Sequence, residues 1–394
     1  MNSRLGSVPP YVFVHLGKLK MKALSAGKDV IDLGQGSPDL ATPDYVIKAA
    51  TDAMADPKTH GYPIANGLLE YREAIAAWYK KRFGAEFDPN TEVLPLIGSK
   101  EGLGHLLQAL LEPGDGVLCP SPCYPAHING VILPGGKPLL MPLKEENGFL
   151  PDLDAISEAD LQAAKVMIIN YPNNPTGATL PDTSLLVKAL GLAKKYGFLV
   201  IYDNAYSEIT FDGYKAPSIF EIEGAIEYAI EFHSTSKSYS MAGWRLGFCV
   251  GNPVAVEALA KLKGFIDYGV PSFLQRGAIA ALEGPDDYVI KASKTYGERR
   301  DVLADALKEI GWEVSRPKAA MYIWTRLPEP ARSLKSLEFS ERLIEEQGVV
   351  ISPGSGFGPE GEGYMRFSLI QSPERLREAA KRIGIFLSSL KAAV

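Results

Sequence analysis

The chain has 394 residues, 46% hydrophobic and 22% charged, with a net charge of −6 and a pI near 5.6. This is ordinary globular material, long enough for a large core with at least one satellite domain, and it excludes disordered and fibrous classes. Lys and Arg are scattered along the whole length with no basic stripe for nucleic acid or anionic lipid, so the expected ligand is a small molecule.

At the N-terminus, charges at Arg4, Lys18, Lys20 and Lys22 and the break at Pro9-Pro10 speak against a signal peptide. No uninterrupted apolar stretch approaches the roughly 20 residues of a membrane span. Residues 1–43 are too short to fold alone and are expected to pack on the C-terminal part. Thr42-Pro43 reads as an N-cap followed by proline at the first helical position, so a helix begins near Pro43.

Between residues 44 and 290, β-rich runs alternate with amphipathic stretches, the pattern of parallel strands joined by crossover helices. The expected fold is therefore α/β with a mostly parallel central sheet. Val93–Ile97 leads into Gly98-Ser99-Lys100-Glu101 and then a helical pattern over Leu103–Leu111, which puts the backbone N–H groups of Ser99 and Lys100 at a helix N-terminus. That is an anion site, although an ordinary capped strand-to-helix turn reads the same way.

The cysteines Cys119, Cys123 and Cys249 form an odd set without zinc-like pairs, so neither a disulfide framework nor a metal is expected, and a reducing cytoplasm fits best. Tyr124, between Pro122 and Pro125, suits stacking on a flat ring, though a lone aromatic is more often core. The runs Val166–Ile169, Phe198–Ile201 and Phe248–Val250 lack polar alternation, as strands covered on both faces do. The first two end at Asn170 and Asp203, and ligands of open α/β sheets sit beyond such carboxyl ends.

In Tyr171–Gly177, prolines flank Asn174 and hold an amide suited to a phenolic oxygen; a plain Asn-Pro turn is the alternative. A carboxylate at Asp203 is costly unless a cation meets it, and a pyridinium nitrogen is such a partner; the competing role is a helix N-cap. Tyr206, three residues on, can offer its hydroxyl to a phenolate. The stretch His233–Arg245 then sets Lys237 among hydroxyls and small residues, with Arg245 eight positions on. A lysine amine condenses with an aldehyde to a Schiff base, while Ser234, Ser236 and Arg245 can grip a phosphate dianion. Pyridoxal phosphate makes that demand of a protein. A surface lysine would need neither such crowding nor a partner arginine.

Beyond about residue 290, helical patterns over Lys291–Ile310 and Leu337–Glu346 flank Trp312–Leu327 and define a smaller α+β domain, 291–394. Ser352–Gly363 reads as a loop. Arg366 lies in the apolar, strand-like run Tyr364–Ser368, where its guanidinium needs either a substrate carboxylate or an internal salt bridge.

Asn173-Asn174-Pro175-Thr176-Gly177, Asp203-x-x-Tyr206, Ser234-x-x-Lys237 and Arg245, in this order, resemble the class I/II aminotransferases, fold-type I pyridoxal-phosphate enzymes, from about Asp32 to the C-terminus. The resemblance implies that Lys237 joins the cofactor, Asp203 pairs with its ring nitrogen, Asn174 and Tyr206 hold its phenolic oxygen and Tyr124 stacks on its ring. Ser99, Lys100, Ser234 and Arg245 would take the phosphate, helped by Tyr62 of the partner subunit in a homodimer with shared sites. Arg366 would bind the α-carboxylate, and Gly34 matches a substrate-contact loop.

Gly98–Gly102, Met141–Leu153, Ala205–Glu208 and Phe211–Lys215 are similar to LL-diaminopimelate aminotransferases. Pro9–Phe13 and Ser240–Arg245 are nearer to bacterial alanine (glutamate-pyruvate) aminotransferases. Unlike animal-type aspartate aminotransferases, the stretch Asp267–Ser272 offers no second arginine, which leaves Lys100 as a substitute. The expected activity is ping-pong transfer of an amino group from an L-amino acid, LL-diaminopimelate or alanine being favoured, to a 2-oxo acid such as 2-oxoglutarate or pyruvate. Alternatives are an aspartate or methionine aminotransferase, a C–S lyase on the same scaffold, or a silent effector domain of a transcription regulator, against which the lack of a helix-turn-helix counts.

Overall fold

Seven strands form the central sheet in the order β2-β8-β7-β6-β5-β3-β4, where β2 is Val93–Leu96, β3 Gly116–Ser121, β4 Lys137–Pro142, β5 Ala164–Asn170, β6 Leu199–Asp203, β7 Ala229–Ser234 and β8 Gly247–Gly251. (β1, Ile31–Asp32, lies outside this sheet.) The structure is a computed structural model and describes residues 3–8 and 11–392; Pro9-Pro10, on which two of the sequence inferences rest, lie outside the described residues. Side chains of β5 and β6 alternate between two cores. Ile168 and Ile201 join Leu103, Leu107 and Val131 on one face, whereas Met167, Ile169, Val200 and Tyr202 join Leu186, Ala189 and Ala193 on the other. Both faces are therefore dry, as the unbroken apolar runs predict, and each such fully buried side chain contributes roughly 1.5–3 kcal/mol relative to exposure.

Pairing is parallel between β4, β3, β5, β6 and β7, but β8 runs antiparallel to both β7 and β2. The sequence reading treated Phe248–Val250 like its parallel neighbours, because burial on both faces does not encode direction. An antiparallel partner needs no crossover. The segment between β7 and β8 therefore stays at the carboxyl end of β7, and it is this segment that carries Lys237 and Arg245.

The predicted helices form with shifted ends: Ser99–Leu110, Asp287–Glu309 and Ser336–Gln347. The helix expected near Pro43 spans Asp44–Met54, and Pro43 itself occupies the N-cap. Thr42 is not the cap, because its hydroxyl donates to the Ser240 carbonyl (2.9 Å) instead.

A three-stranded antiparallel sheet, β11-β12-β9, combines β9 (Tyr322–Arg326), β11 (Ser352–Pro353) and β12 (Tyr364–Ser368). The predicted loop 352–363 thus starts as a strand. Its core includes Trp312, Ile323, Leu343, Phe367 and Phe386. Near the N-terminus, β1 pairs in parallel with β10 (Val349–Val350), and Leu16 and Ala23 of the helix Val12–Ser25 pack on Ile344 and Val350.

Candidate active site

Strands sharing one direction deliver their carboxyl ends to one side of the sheet, and β5, β6 and β7 end there on the polar residues Asn170, Asp203 and Ser234. A cavity of about 410 Å³ opens there, lined by Ser99 after β2, Tyr124 after β3, Asn170 and Asn174 at and after β5, Asp203 and Tyr206 at and after β6, and Ser234 and Lys237 at and after β7. Gly34, Arg366, Tyr322 and Phe357 close it from the other side, and Tyr11, Phe13 and Lys20 from the N-terminal segment.

Lys237 sits in the short helix Thr235–Ser238, for which the Ser234 side chain is the N-cap, accepting from Ser236 N (3.3 Å). Its Nζ donates to the Gly36 carbonyl at 2.7 Å. Loss of water around the amine pulls the Lys237 pKa below its ordinary value; Arg366 and Arg245 push the same way, against Tyr322 and Asp203.

Asp203 is 8% exposed, and parallel register sets it beside Asn170. The Asn170 amide donates to the Asp203 carbonyl (2.7 Å) and its oxygen accepts from Asn174 N (3.0 Å). His127 Nε2 lies 3.0 Å from Asp203 Oδ2, whereas Oδ1 is buried with no hydrogen-bond partner. An orphan carboxylate oxygen in a dry site is costly, so this atom points to a missing donor.

Arg366 is 4% exposed. It donates from Nη1 to Asn174 Oδ1 (2.8 Å) and from Nη2 to the Gly34 carbonyl (2.8 Å), while its Nε is orphaned. The guanidinium lies 4.2 Å from the Tyr322 ring centroid and 4.6 Å from that of Phe357. Among the described residues no carboxylate pairs with it, which removes the internal salt bridge as its explanation. A buried guanidinium is costly without an anionic partner.

Four predicted residues do not line this cavity. Arg245 Nη1 donates to the Ala242 carbonyl (3.0 Å), and its guanidinium lies against Gly98, where an added Cβ would meet Nη2 at 2.6 Å. The arginine thus sits at the N-terminus of the helix Ser99–Leu110, a pairing of cation and free N–H groups that suits an anion. Lys100 projects between the rings of Tyr11 (5.8 Å) and Tyr124 (5.9 Å), and Ser236 is buried beneath the lysine turn. Tyr62 is 91% exposed and contacts Tyr268 (ring centroids 5.6 Å) away from the cavity.

Sequence reasoning missed His127, Tyr322, Phe13 and Phe357. Tyr322 is central: its hydroxyl is 2.8 Å from that of Tyr206, whose pKa is pushed well above normal by burial and then by Tyr322 itself. Only His127 had a signal, because it follows Tyr124 by three positions at the start of one helix and so shares its face.

These strand ends bring a half-buried lysine, an orphan carboxylate oxygen and a guanidinium with no carboxylate partner to one cavity, a donor set suited to amines that bear a carboxylate. The chain belongs to the aminotransferase class I and II family, whose model matches residues 28–383. It is therefore an aminotransferase of the kind that depends on pyridoxal phosphate and works on amino acids and 2-oxo acids. The LL-diaminopimelate aminotransferase of Desulforudis audaxviator is 49% identical over 380 residues, 96% of each chain. The glutamate-pyruvate aminotransferase of Escherichia coli is 44% identical over 381 residues, 97% of this chain and 92% of that one. Among solved structures, substrate-bound BacF from Bacillus subtilis superposes with a TM-score of 0.94 at 37% identity, covering 98% of this chain and 97% of the other. No described helix is long and apolar enough to cross a membrane.

Proposed function

We propose that this transaminase takes LL-diaminopimelate or alanine as amino donor and 2-oxoglutarate or pyruvate as acceptor. The observation that carries the amine-and-carboxylate part of this reading is the convergence of one lysine, one orphan carboxylate oxygen and one unpaired guanidinium on a single cavity. The choice of donor is supported by the names of the relatives.

The donors present fit pyridoxal phosphate. Lys237 would hold its aldehyde, Asp203 Oδ1 its ring nitrogen, Asn174 and Tyr206 its phenolic oxygen, and Tyr124 its ring face. Ser99, Lys100, Ser234, Ser236 and Arg245 would hold its phosphate. When bound, the group supplies an aldehyde that condenses with amines and a ring that accepts the electron pair left at a substrate Cα. Lys237 is the residue placed to carry the proton from that carbon, and Arg366 gives donor and acceptor one shared grip through their carboxylates. His127 keeps Asp203 oriented, and Phe357 and Tyr322 exclude water from the guanidinium.

The test is a donor screen on the cofactor-loaded enzyme: LL-diaminopimelate, alanine, aspartate, methionine and cystathionine are each supplied with 2-oxoglutarate, and all but alanine also with pyruvate. The expected result is 2-oxo product and glutamate or alanine in equal amounts from one of the first two donors. Ammonia and pyruvate from cystathionine without any added oxo acid would replace this reading with a lyase.

The chain is also proposed to work as a homodimer in the cytoplasm, with a large domain at 44–290, a small one at 291–394 and residues 1–43 packed on the latter. Tyr62, Ile64, Phe265 and Tyr268 are exposed large hydrophobics, with Phe265 at 85%, and Tyr62 contacts Tyr268, which is the kind of patch a second copy covers. If Tyr62 completes a neighbour's phosphate site, Lys237→Ala and Tyr62→Phe variants, each impaired alone, regain activity when mixed and allowed to exchange subunits. A mixture no more active than the sum of its parts would show self-contained sites.

A further inference from the structure

Both functional cations hang on the same three-residue loop. The Gly34 carbonyl accepts from Arg366 Nη2 at 2.8 Å, and the Gly36 carbonyl accepts from Lys237 Nζ at 2.7 Å. The loop has little freedom of its own at Gly36, where an added Cβ would lie 2.1 Å from the Tyr322 hydroxyl oxygen. What fixes its start is Asp32, at the end of β1. Asp32 Oδ1 accepts from Gly34 N at 2.8 Å and, at the limit of the range, from Gln35 N at 3.4 Å.

The other oxygen, Oδ2, is held at 2.7 Å by Lys20 Nζ, from the helix Val12–Ser25 whose first turns line the cavity. This pair is partly shielded, with side-chain exposures of 16% for Asp32 and 32% for Lys20. Hydrogen bonds to an ionised acceptor are the strong ones, so a carboxylate here orients two backbone N–H groups more firmly than a neutral side chain would.

We infer that Asp32, braced by Lys20, is a positioning residue for Arg366 and, while its amine is free, for Lys237, acting through the carbonyls of the Gly34–Gly36 loop. The inference rests on the reading of Arg366 as the carboxylate clamp. It joins the N-terminal helix to the two cations by an unbroken set of contacts: Lys20 to Asp32, Asp32 to the loop amides, loop carbonyls to the cations.

The probe is propionate, a monocarboxylate with no amino group, titrated into the cofactor-loaded enzyme by calorimetry. Asp32→Ala is expected to weaken propionate about tenfold, the loss of one charge-assisted hydrogen bond to a buried group. It is also expected to raise the KM of donor and acceptor in parallel while leaving pyridoxal-phosphate affinity unchanged. Asp32→Asn retains an oxygen for Gly34 N–H and should stay within about threefold of wild type. Lys20→Met removes only the brace and should weaken propionate by about threefold.

Wild-type propionate affinity in Asp32→Ala overturns the inference, and so does a loss of cofactor affinity equal to the loss of propionate, which would mark a general structural role. If Asp32 instead contacted only the substrate ammonium, propionate would again be unaffected. Should Asp32→Ala not fold, unchanged propionate affinity in both Lys20→Met and Asp32→Asn overturns it. An Arg366→Ala variant that binds propionate like wild type removes the clamp reading itself, a different result from an intact clamp indifferent to Asp32.

Discussion

Lys237→Ala is expected to lower the turnover of transamination by at least about 10⁴-fold, the upper end of what a positioned proton-transfer group contributes. Two roles are lost together, since the same amine is proposed both to join the cofactor and to carry the proton. The other lysine on the cavity wall, Lys20, is engaged with Asp32 and cannot substitute. Burial lowers the Lys237 pKa, so a larger share of the amine is neutral at a given pH than for an exposed lysine, and only the neutral amine attacks an aldehyde. The amine should therefore become nucleophilic at a lower pH than a surface lysine.

Stability should not fall with activity in this variant. The Lys237 ammonium makes one hydrogen bond, to the Gly36 carbonyl, and its charge is disfavoured by its surroundings, so removing it is expected to leave Tm unchanged or slightly raised. The direct check is borohydride reduction of the loaded protein followed by peptide mapping. The modification should fall on residue 237 of the wild type. A tag on another lysine, or a Lys237→Ala variant retaining more than about a hundredth of the activity, would remove this residue from the chemistry.

Lys237 was legible in the sequence because the signal is local: hydroxyls, a glycine and an arginine within a few positions of one amine. Asp203 was legible because a carboxylate closing an apolar strand is costly, whatever the rest of the chain does. Arg366 could be read as needing an anion, but the choice between a substrate and a salt bridge depends on what β9, β11 and the Gly34 loop bring beside it. Tyr322 stands 44 positions from it, and only the antiparallel register that sets Arg366 against Trp324 in the neighbouring strand places it there.

The direction of β8 was equally hidden, since burial on both faces is the same for parallel and antiparallel strands. Asp32 went unnoticed for a similar reason. An acidic residue near a short edge strand has no distinctive spacing, and its meaning comes from two carbonyls further along the loop that face cations from distant parts of the chain.

Asp203→Asn is expected to reduce kcat/KM by on the order of 10²–10³-fold, the consequence of withdrawing one charge from a buried ionic contact worth about 3–5 kcal/mol. The two oxygens of Asp203 are unequally partnered. Oδ2 has His127 at 3.0 Å, and Oδ1 has nothing, in a residue that is nearly inaccessible to water. A cationic N–H donor at Oδ1 would satisfy the charge and the hydrogen bond at once, and a pyridinium nitrogen is such a donor. An asparagine there keeps the shape and the contact to His127 but offers no charge, so it cannot hold a proton on the ring nitrogen.

If this is the role of Asp203, the penalty depends on the nitrogen and on nothing else. The cofactor dissociation constant should rise in Asp203→Asn when measured with pyridoxal phosphate, and the difference between variant and wild type should vanish with an analogue carrying carbon in place of the ring nitrogen. A defect of equal size with both compounds would mean that Asp203 serves the architecture of the β5–β6 edge through Asn170 and His127, and not the ring.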